Sequence, residues 1–437
     1  MRLPTRLTAF LLATTLAVAC NASAANWPAW RGANGDGIST EKNLPLKWSA
    51  DENVRWRVPL PEPGNSTPIV WGDHIFVTQP LGERRTLMCF NRADGKLLWQ
   101  AGVTATAKDP THGTNPYCSA SPVTDGERVI ASFASDGLYC YDFSGKELWK
   151  RTDLGRQIHI WGNAASPVIY KNLCFLNFGP GDTTYLIAVD KTTGKTIWKN
   201  DEPGGDSGNP PNVPKVEPTD PPAEKKPASR GKWLGSWTTP PIIKEGAQDS
   251  LIMSWPGRVC SLDPATGKER WTCEGLNPLV YTSPLYGDGL VVAMGGFGGK
   301  ALAVRTGGSG DVTAANRLWL QGSPQRIGSG VIHEKHIYIH NDPGTAMCIE
   351  LETGKALWTE RLTSPAANNT NWSSVLLADG KCYTITQGGS CFVFKASPTF
   401  ELLSTNLLGE RSNSSIVPSN GDLLIRTHKA LWCIGGN

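Results

Sequence analysis

The chain has 437 residues, and its 47 glycines and 32 prolines are too many for a helical protein but normal for short strands joined by turns. Residues 1–24 hold two arginines and no acid, so without them the formal charge of +3 falls by two to +1, too near neutral for a surface that binds nucleic acid or anionic membrane. No apolar run after residue 24 is long enough to span a bilayer.

Residues 1–24 read as an export signal: Arg2 and Arg6, an apolar run from Leu7 to Ala19, then Ala22-Ser23-Ala24 as a small-residue cleavage site. Leu16-Ala17-Val18-Ala19-Cys20 resembles a lipobox, so lipid anchoring through Cys20 stands beside simple cleavage. An irregular leader over 25–48 follows, with Trp27, Trp30 and Trp48 expected to pack on the body. Val54 to Val58 then alternates like a strand and carries Trp56, with no repeat unit before it.

From there the chain repeats itself. Cys89 to Trp99, Cys140 to Trp149, Leu186 to Trp198, Leu262 to Trp271 and Ile349 to Trp358 are each an apolar strand, an Asp/Asn/Glu-led turn closing on Gly-Lys, and a return strand ending at Trp. Each unit opens on a small polar step: Ser66-Thr67-Pro68, Ser121-Pro122, Ser166-Pro167, Thr238-Thr239-Pro240, Ser283-Pro284, Gly328-Ser329-Gly330, Ser373-Ser374 and Ser414-Ser415. The seventh unit ends at Leu402-Leu403 without a Trp, and the eighth stops one strand short after Leu431-Trp432-Cys433. Isolated four-stranded sheets gain by packing radially, and the strand at Trp56 supplies the one the last unit lacks. The expected fold is all-β: an eight-bladed β-propeller over 49–437, closed by N- and C-terminal strands sharing one blade. A Pro-rich, charged insertion over 200–232 interrupts it between the third and fourth units, and reads as a solvated loop.

Ten cysteines after Cys20 suggest disulfides in an exported protein, but Cys89, Cys140, Cys348 and Cys433 share one repeat slot that other units fill with Ala188, Ser261 and Ala303. That is a small buried position, which makes them packing residues. Cys382 and Cys391, on one hairpin, are the single pair considered for a disulfide.

The Asp/Asn-x-x-x-Gly-Lys-x-x-Trp core with its Ser-Pro openings resembles the quinoprotein-type (PQQ-like) propeller repeat over nearly the whole chain after residue 24. The resemblance implies that Trp56, Trp99, Trp149, Trp198, Trp271, Trp319 and Trp358 form a girdle between neighbouring blades. It also offers two functions: quinone-dependent dehydrogenases of alcohols or sugars, which hold PQQ and calcium over the central channel, and non-catalytic relatives such as the outer-membrane assembly lipoprotein of the β-barrel insertion machinery. The chain has neither the vicinal Cys-Cys pair found in many of the enzymes nor a Cys-x-x-Cys-His haem motif.

The residues expected at the channel face are rich in aromatics and amides, suited to stacking on and hydrogen-bonding a planar or sugar-like ligand. Asn65, His112, Asn115, Tyr117, His159, Trp161, Asn163, Trp237, Tyr281, Asn371, Trp372 and Asn413 are placed there, with Arg326 as an anion anchor. Asp182, Asn341 and Asp342 are the weak set for calcium, and His112, His159 and His340 for a transition metal. The favoured reading is an exported, periplasmic or extracellular, monomeric propeller. It binds a protein partner or small polar ligand at its channel face, without catalysis, cofactor or nucleic acid. A PQQ-dependent dehydrogenase and a carbohydrate-binding module are the alternatives.

Overall fold

The computed structural model describes residues 26–106, 108–181, 183–202, 234–296, 298–322, 327–366 and 368–435. The export signal, Cys20, Asp182, Arg326 and nearly all of the 200–232 insertion lie outside them.

Eight sheets, each built on four antiparallel strands, form the blades of a propeller, and the fourth and seventh each gain a short fifth strand in parallel. Blades one to seven span Ile69–Thr104, Val123–Arg151, Val168–Asp201, Ile242–Glu274, Leu285–Gly322, Val331–Arg361 and Leu376–Leu407. Blade eight takes three strands from Val417–Gly435 and its outermost from Val54–Pro59, paired through Val54 with Ile434 and Val58 with Leu431. The two ends of the described chain therefore close one sheet, and the ring with it.

The repeat spelling has a packing cause. On the third strand of seven blades a small residue stands opposite the outer-strand Trp: Cys89 and Trp99, Cys140 and Trp149, Ala188 and Trp198, Ser261 and Trp271, Ala303 and Trp319, Cys348 and Trp358, Cys433 and Trp56. Blade seven has Ser404 in place of the Trp, and there the opposing residue grows to Val393. In every blade a β-bulge falls beside this pair, which raises the local twist of an otherwise open edge strand. The ten cysteines of the described residues all carry free thiols, and burial pushes those of Cys89, Cys140 and Cys433 up to about 12. Cys382 lies opposite Phe394 and Cys391 opposite Ile385, so the disulfide considered for them does not form: the hairpin register sets the two three steps apart.

Each indole ties its blade to the next. The Nε1–H groups of Trp56, Trp99, Trp149, Trp198, Trp319 and Trp358 donate to Arg92, Phe143, Lys191, Pro264, Leu351 and Ser397 carbonyls at 2.8–3.1 Å. Gly194 shows why Gly ends the turn: its φ is +72°, and a Cβ there would sit 2.6 Å from Cε3 of Trp149. Trp271 departs from the rule and donates to Glu245 Oε1 of its own blade at 2.8 Å. Blade five replaces the tight turn with a longer excursion through Gly310–Asp311 and the helical turn Thr313–Asn316, so the usual carbonyl is replaced by a carboxylate that also accepts from Ser261 and the Gly307 amide. The core follows the same logic. Phe76, Leu87 and Cys89 of blade one pack on Val129, Tyr139 and Tyr141 of blade two, and equivalent clusters fill the successive gaps around the ring.

The leader ties several blades together. Trp27 exchanges backbone bonds with Val70 of blade one, and Pro28 accepts from Thr124 of blade two. Arg31, buried, donates to the Ser329 and Gly330 carbonyls of blade six and to those of Gly35 and Asp36 in the leader itself. Ile38–Ser39 then pairs in parallel with blade seven, and the Glu41 carboxylate accepts the Asn420 and Gly421 amides of blade eight.

Candidate site at the channel mouth

The eight openings of the units converge on the channel axis, where they join. The amide of Thr67 donates to Ser121 Oγ, Ser121 to Ser166, Ser166 to Thr239, Thr239 to Ser283, Ser283 to Ser329, Ser329 to Ser374, Ser374 to Ser415, and Ser415 back to Thr67 Oγ1, all at 2.8–3.0 Å. Each blade's amide is thus satisfied by the next blade's hydroxyl in a closed cycle. A strand opening that must place an acceptor beside the axis with almost no bulk has only Ser and Thr to choose from.

Above this ring opens a cavity of about 280 Å³, to which every blade contributes. Trp161, Trp237 and Tyr281 form its aromatic flank: the Trp237 and Tyr281 rings lie 4.8 Å apart, Trp161 and Trp237 6.1 Å, and Trp161 and Tyr281 6.4 Å. Trp237 is fixed by its Nε1 bond to the Gly162 carbonyl at 2.8 Å. His159, 4% exposed, does not line the cavity but backs the flank edge-on to Trp237 at 4.8 Å. Asn115 holds the segment from behind, its Nδ2 donating to the Trp161 carbonyl at 2.6 Å. On the facing side, the Nδ2 groups of Asn65 and Asn413 converge on one acceptor, the Thr114 carbonyl, each at 2.9 Å. Asn65 Oδ1 in turn faces His428 Nε2 at 3.2 Å, and because Asn65 spends its NH₂ on Thr114, that histidine nitrogen is the donor. Burial and the guanidinium groups of Arg411 and Arg426 push His428 down to about 4. Two buried atoms of wall residues, the Trp372 Nε1 donor and the Asn413 Oδ1 acceptor, have no partner among the described residues.

Of the residues singled out in the sequence, Asn65, His112, Asn115, Trp161, Trp237, Tyr281, Trp372 and Asn413 meet in this cavity. Three others serve the fold instead. The Tyr117 hydroxyl donates to the Asp109 carbonyl at 2.9 Å and its ring lies under Arg85. Asn163 donates to the Gly179 carbonyl. Asn371, fully buried, donates to the His340 and Ser373 carbonyls. Trp30, which no motif placed at the cavity, borders both it and a second one of about 380 Å³ lined by the leader. Its Trp-x-x-Trp-Arg-Gly setting was the available signal, but only the leader's path reveals its place.

None of the described residues lining the cavity is Asp, Glu, Lys or Arg, and burial raises the Tyr281 phenol, which keeps it neutral. A quinone carrying three carboxylates needs converging cations, and calcium needs carboxylate or carbonyl oxygens aimed at it. The described wall offers amides, hydroxyls and rings, but no cation for the carboxylates and no carboxylate for the metal, so its donor set does not fit that pair. Asn341 is buried with its Nδ2 on Met347 Sδ, and among the described residues no three His, Cys, Asp or Glu side chains gather, the three histidines considered for a transition metal included. No helix among the described residues is long and apolar enough to cross a membrane.

The family model described as outer membrane protein assembly factor BamB matches residues 46–210, 182–319 and 308–397. Among solved structures, BamB from Moraxella catarrhalis is 12% identical with a TM-score of 0.59, covering 88% of this chain and 97% of that one. A europium-containing methanol dehydrogenase is 11% identical with a TM-score of 0.66, over 93% of this chain and 90% of its own. The quinohemoprotein alcohol dehydrogenase of Comamonas testosteroni is 13% identical with a TM-score of 0.67, over 94% and 81%. At such identities the likeness concerns the fold. The curated tetrathionate hydrolase of Acidithiobacillus ferrooxidans is 23% identical over 343 residues, 78% of this chain and 53% of that protein, so the chain spans about half the length of the curated relative it matches.

Proposed function

The chain belongs to the PQQ-repeat family described as outer membrane protein assembly factor BamB, and from that premise we propose that it is a non-catalytic binding propeller of the bacterial envelope, working through its channel mouth. The observation that carries this reading is the make-up of the cavity wall: each blade supplies at least one residue, tilted rings, amides and hydroxyls predominate, and no side chain among the described lining residues is charged. Such a wall binds by shape, stacking and neutral hydrogen bonds. The signal-like residues 1–24 support export, and the neutral charge after them supports a small polar ligand or a protein partner rather than a polyanion. The rival is a quinone-dependent dehydrogenase, to which two structural neighbours point.

Incubating purified protein with PQQ and calcium, then adding alcohols or sugars with an electron-accepting dye, separates the two. The binding reading expects no dye reduction and no quinone retained after gel filtration. Turnover that requires the quinone would overturn it.

A further inference from the structure

Resting on that reading of the channel mouth, we propose that its ligand is a neutral sugar ring, entering as the terminal unit of a glycan or as a free monosaccharide.

Charge excludes first. An ion placed in this cavity would lose water and meet no counter-ion among the described lining residues, a penalty that amides and hydroxyls offset only in part. The described wall therefore favours an uncharged ligand. Its shape follows from where the polar groups lie. The hydroxyl-bearing residues Thr67, Ser166, Thr239, Ser374 and Ser415 line the cavity from blades one, three, four, seven and eight, so polar partners surround the channel axis instead of clustering on one side. Each of those oxygens already accepts an amide hydrogen from the neighbouring blade. A planar heterocycle presents its donors and acceptors along one or two edges. A pyranose presents hydroxyls around its whole rim and an apolar C–H face above or below, which is the half that Trp161, Trp237 and Tyr281 are suited to cover.

Size and depth set the rest. A volume of about 280 Å³ lies just below the usual range of ligand pockets and suits a single ring. Trp30 borders both this cavity and the second one, so its indole stands between them.

Tryptophan fluorescence and calorimetric titration of the full chain with glucose, galactose and N-acetylglucosamine test this, with glucuronate as the charged counterpart and adenosine as the planar one. At least one neutral sugar should bind, glucuronate at least tenfold more weakly than glucose, and adenosine more weakly still. Trp161→Ala should abolish binding, with an unchanged far-UV spectrum as the check on folding. Adenosine binding that is lost in Trp161→Ala while every neutral sugar fails would overturn the sugar and keep the binding mouth. Failure of every probe together with quinone-dependent dye reduction would overturn both. Failure of every probe without dye reduction would overturn the sugar alone.

Discussion

Replacing Gly194 by alanine should destabilise the protein through the indole of the neighbouring blade, and a matched control can separate that effect from backbone strain. Gly194 and Gly246 both sit in turns with positive φ, +72° and +60°, but a Cβ at Gly246 meets nothing within 4 Å whereas one at Gly194 meets the Trp149 ring at 2.6 Å. Gly246→Ala should therefore cost only the left-handed backbone, about 1–2 kcal/mol. Gly194→Ala adds the displacement of Trp149, which loses its 2.9 Å bond to the Lys191 carbonyl and its fit between blades two and three, roughly 1–3 kcal/mol more. Denaturant midpoints of the two single variants give the difference. The double variant Trp149→Ala/Gly194→Ala shows its origin: with the ring gone, the glycine change should shrink toward the Gly246 value. Equal losses in Gly194→Ala and Gly246→Ala, or strict additivity in the double variant, would refute the inter-blade contact as the reason the turn ends in glycine.

The hydroxyl ring makes a second expectation: Ser329→Ala orphans the buried Ser283 amide and should lower stability by about 1–3 kcal/mol, while Ser329→Thr, the residue at two of the eight positions, restores most of it in the same denaturation assay. A third concerns acid. His428 is held neutral in the fold to about pH 4 but protonates near 6.5 when unfolded, so below 6.5 the unfolded state binds more protons; the stabilisation is complete above pH 6.5 and is lost as pH falls toward 4. His340, buried and lowered to about 3, acts in the same direction over a window that reaches lower. Midpoints measured from pH 7.5 to 4 should fall, and His428→Gln should flatten that slope; a parallel slope would show that His428 titrates normally in the fold.

Much of the architecture is written in the chain because the repeat spells a pairing. The small slot and the Trp are opposite each other in register, so the Cys, Ala or Ser in one place and the Trp ten residues on report one local contact. Where the contact is long-range, the text is silent. That Trp271 turns to Glu245 follows from an excursion in the next blade, which moves the expected acceptor. Arg31 finds its carbonyls almost 300 residues away, and no local pattern announces that. At the mouth, the Ser and Thr openings were visible as a motif, yet their reason exists only once the circle is closed and each amide meets the following hydroxyl. The same limit explains Tyr117, Asn163 and Asn371: the sequence put them near the axis, but the fold uses their polar groups for its own carbonyls.

The account depends on a ring closed by Val54–Pro59 pairing with Ala430–Gly435, since without that sheet neither the hydroxyl cycle nor the cavity wall is complete. Hydrogen–deuterium exchange resolved to that strand is the direct measurement. Amides of 54–59 that bond to the last strand should exchange as slowly as those of the outer strand of blade one, Leu97–Thr104, and both should open together under mild denaturant. Rapid exchange over 54–59 while blades one to seven stay protected would contradict the closed ring and remove the site built on it.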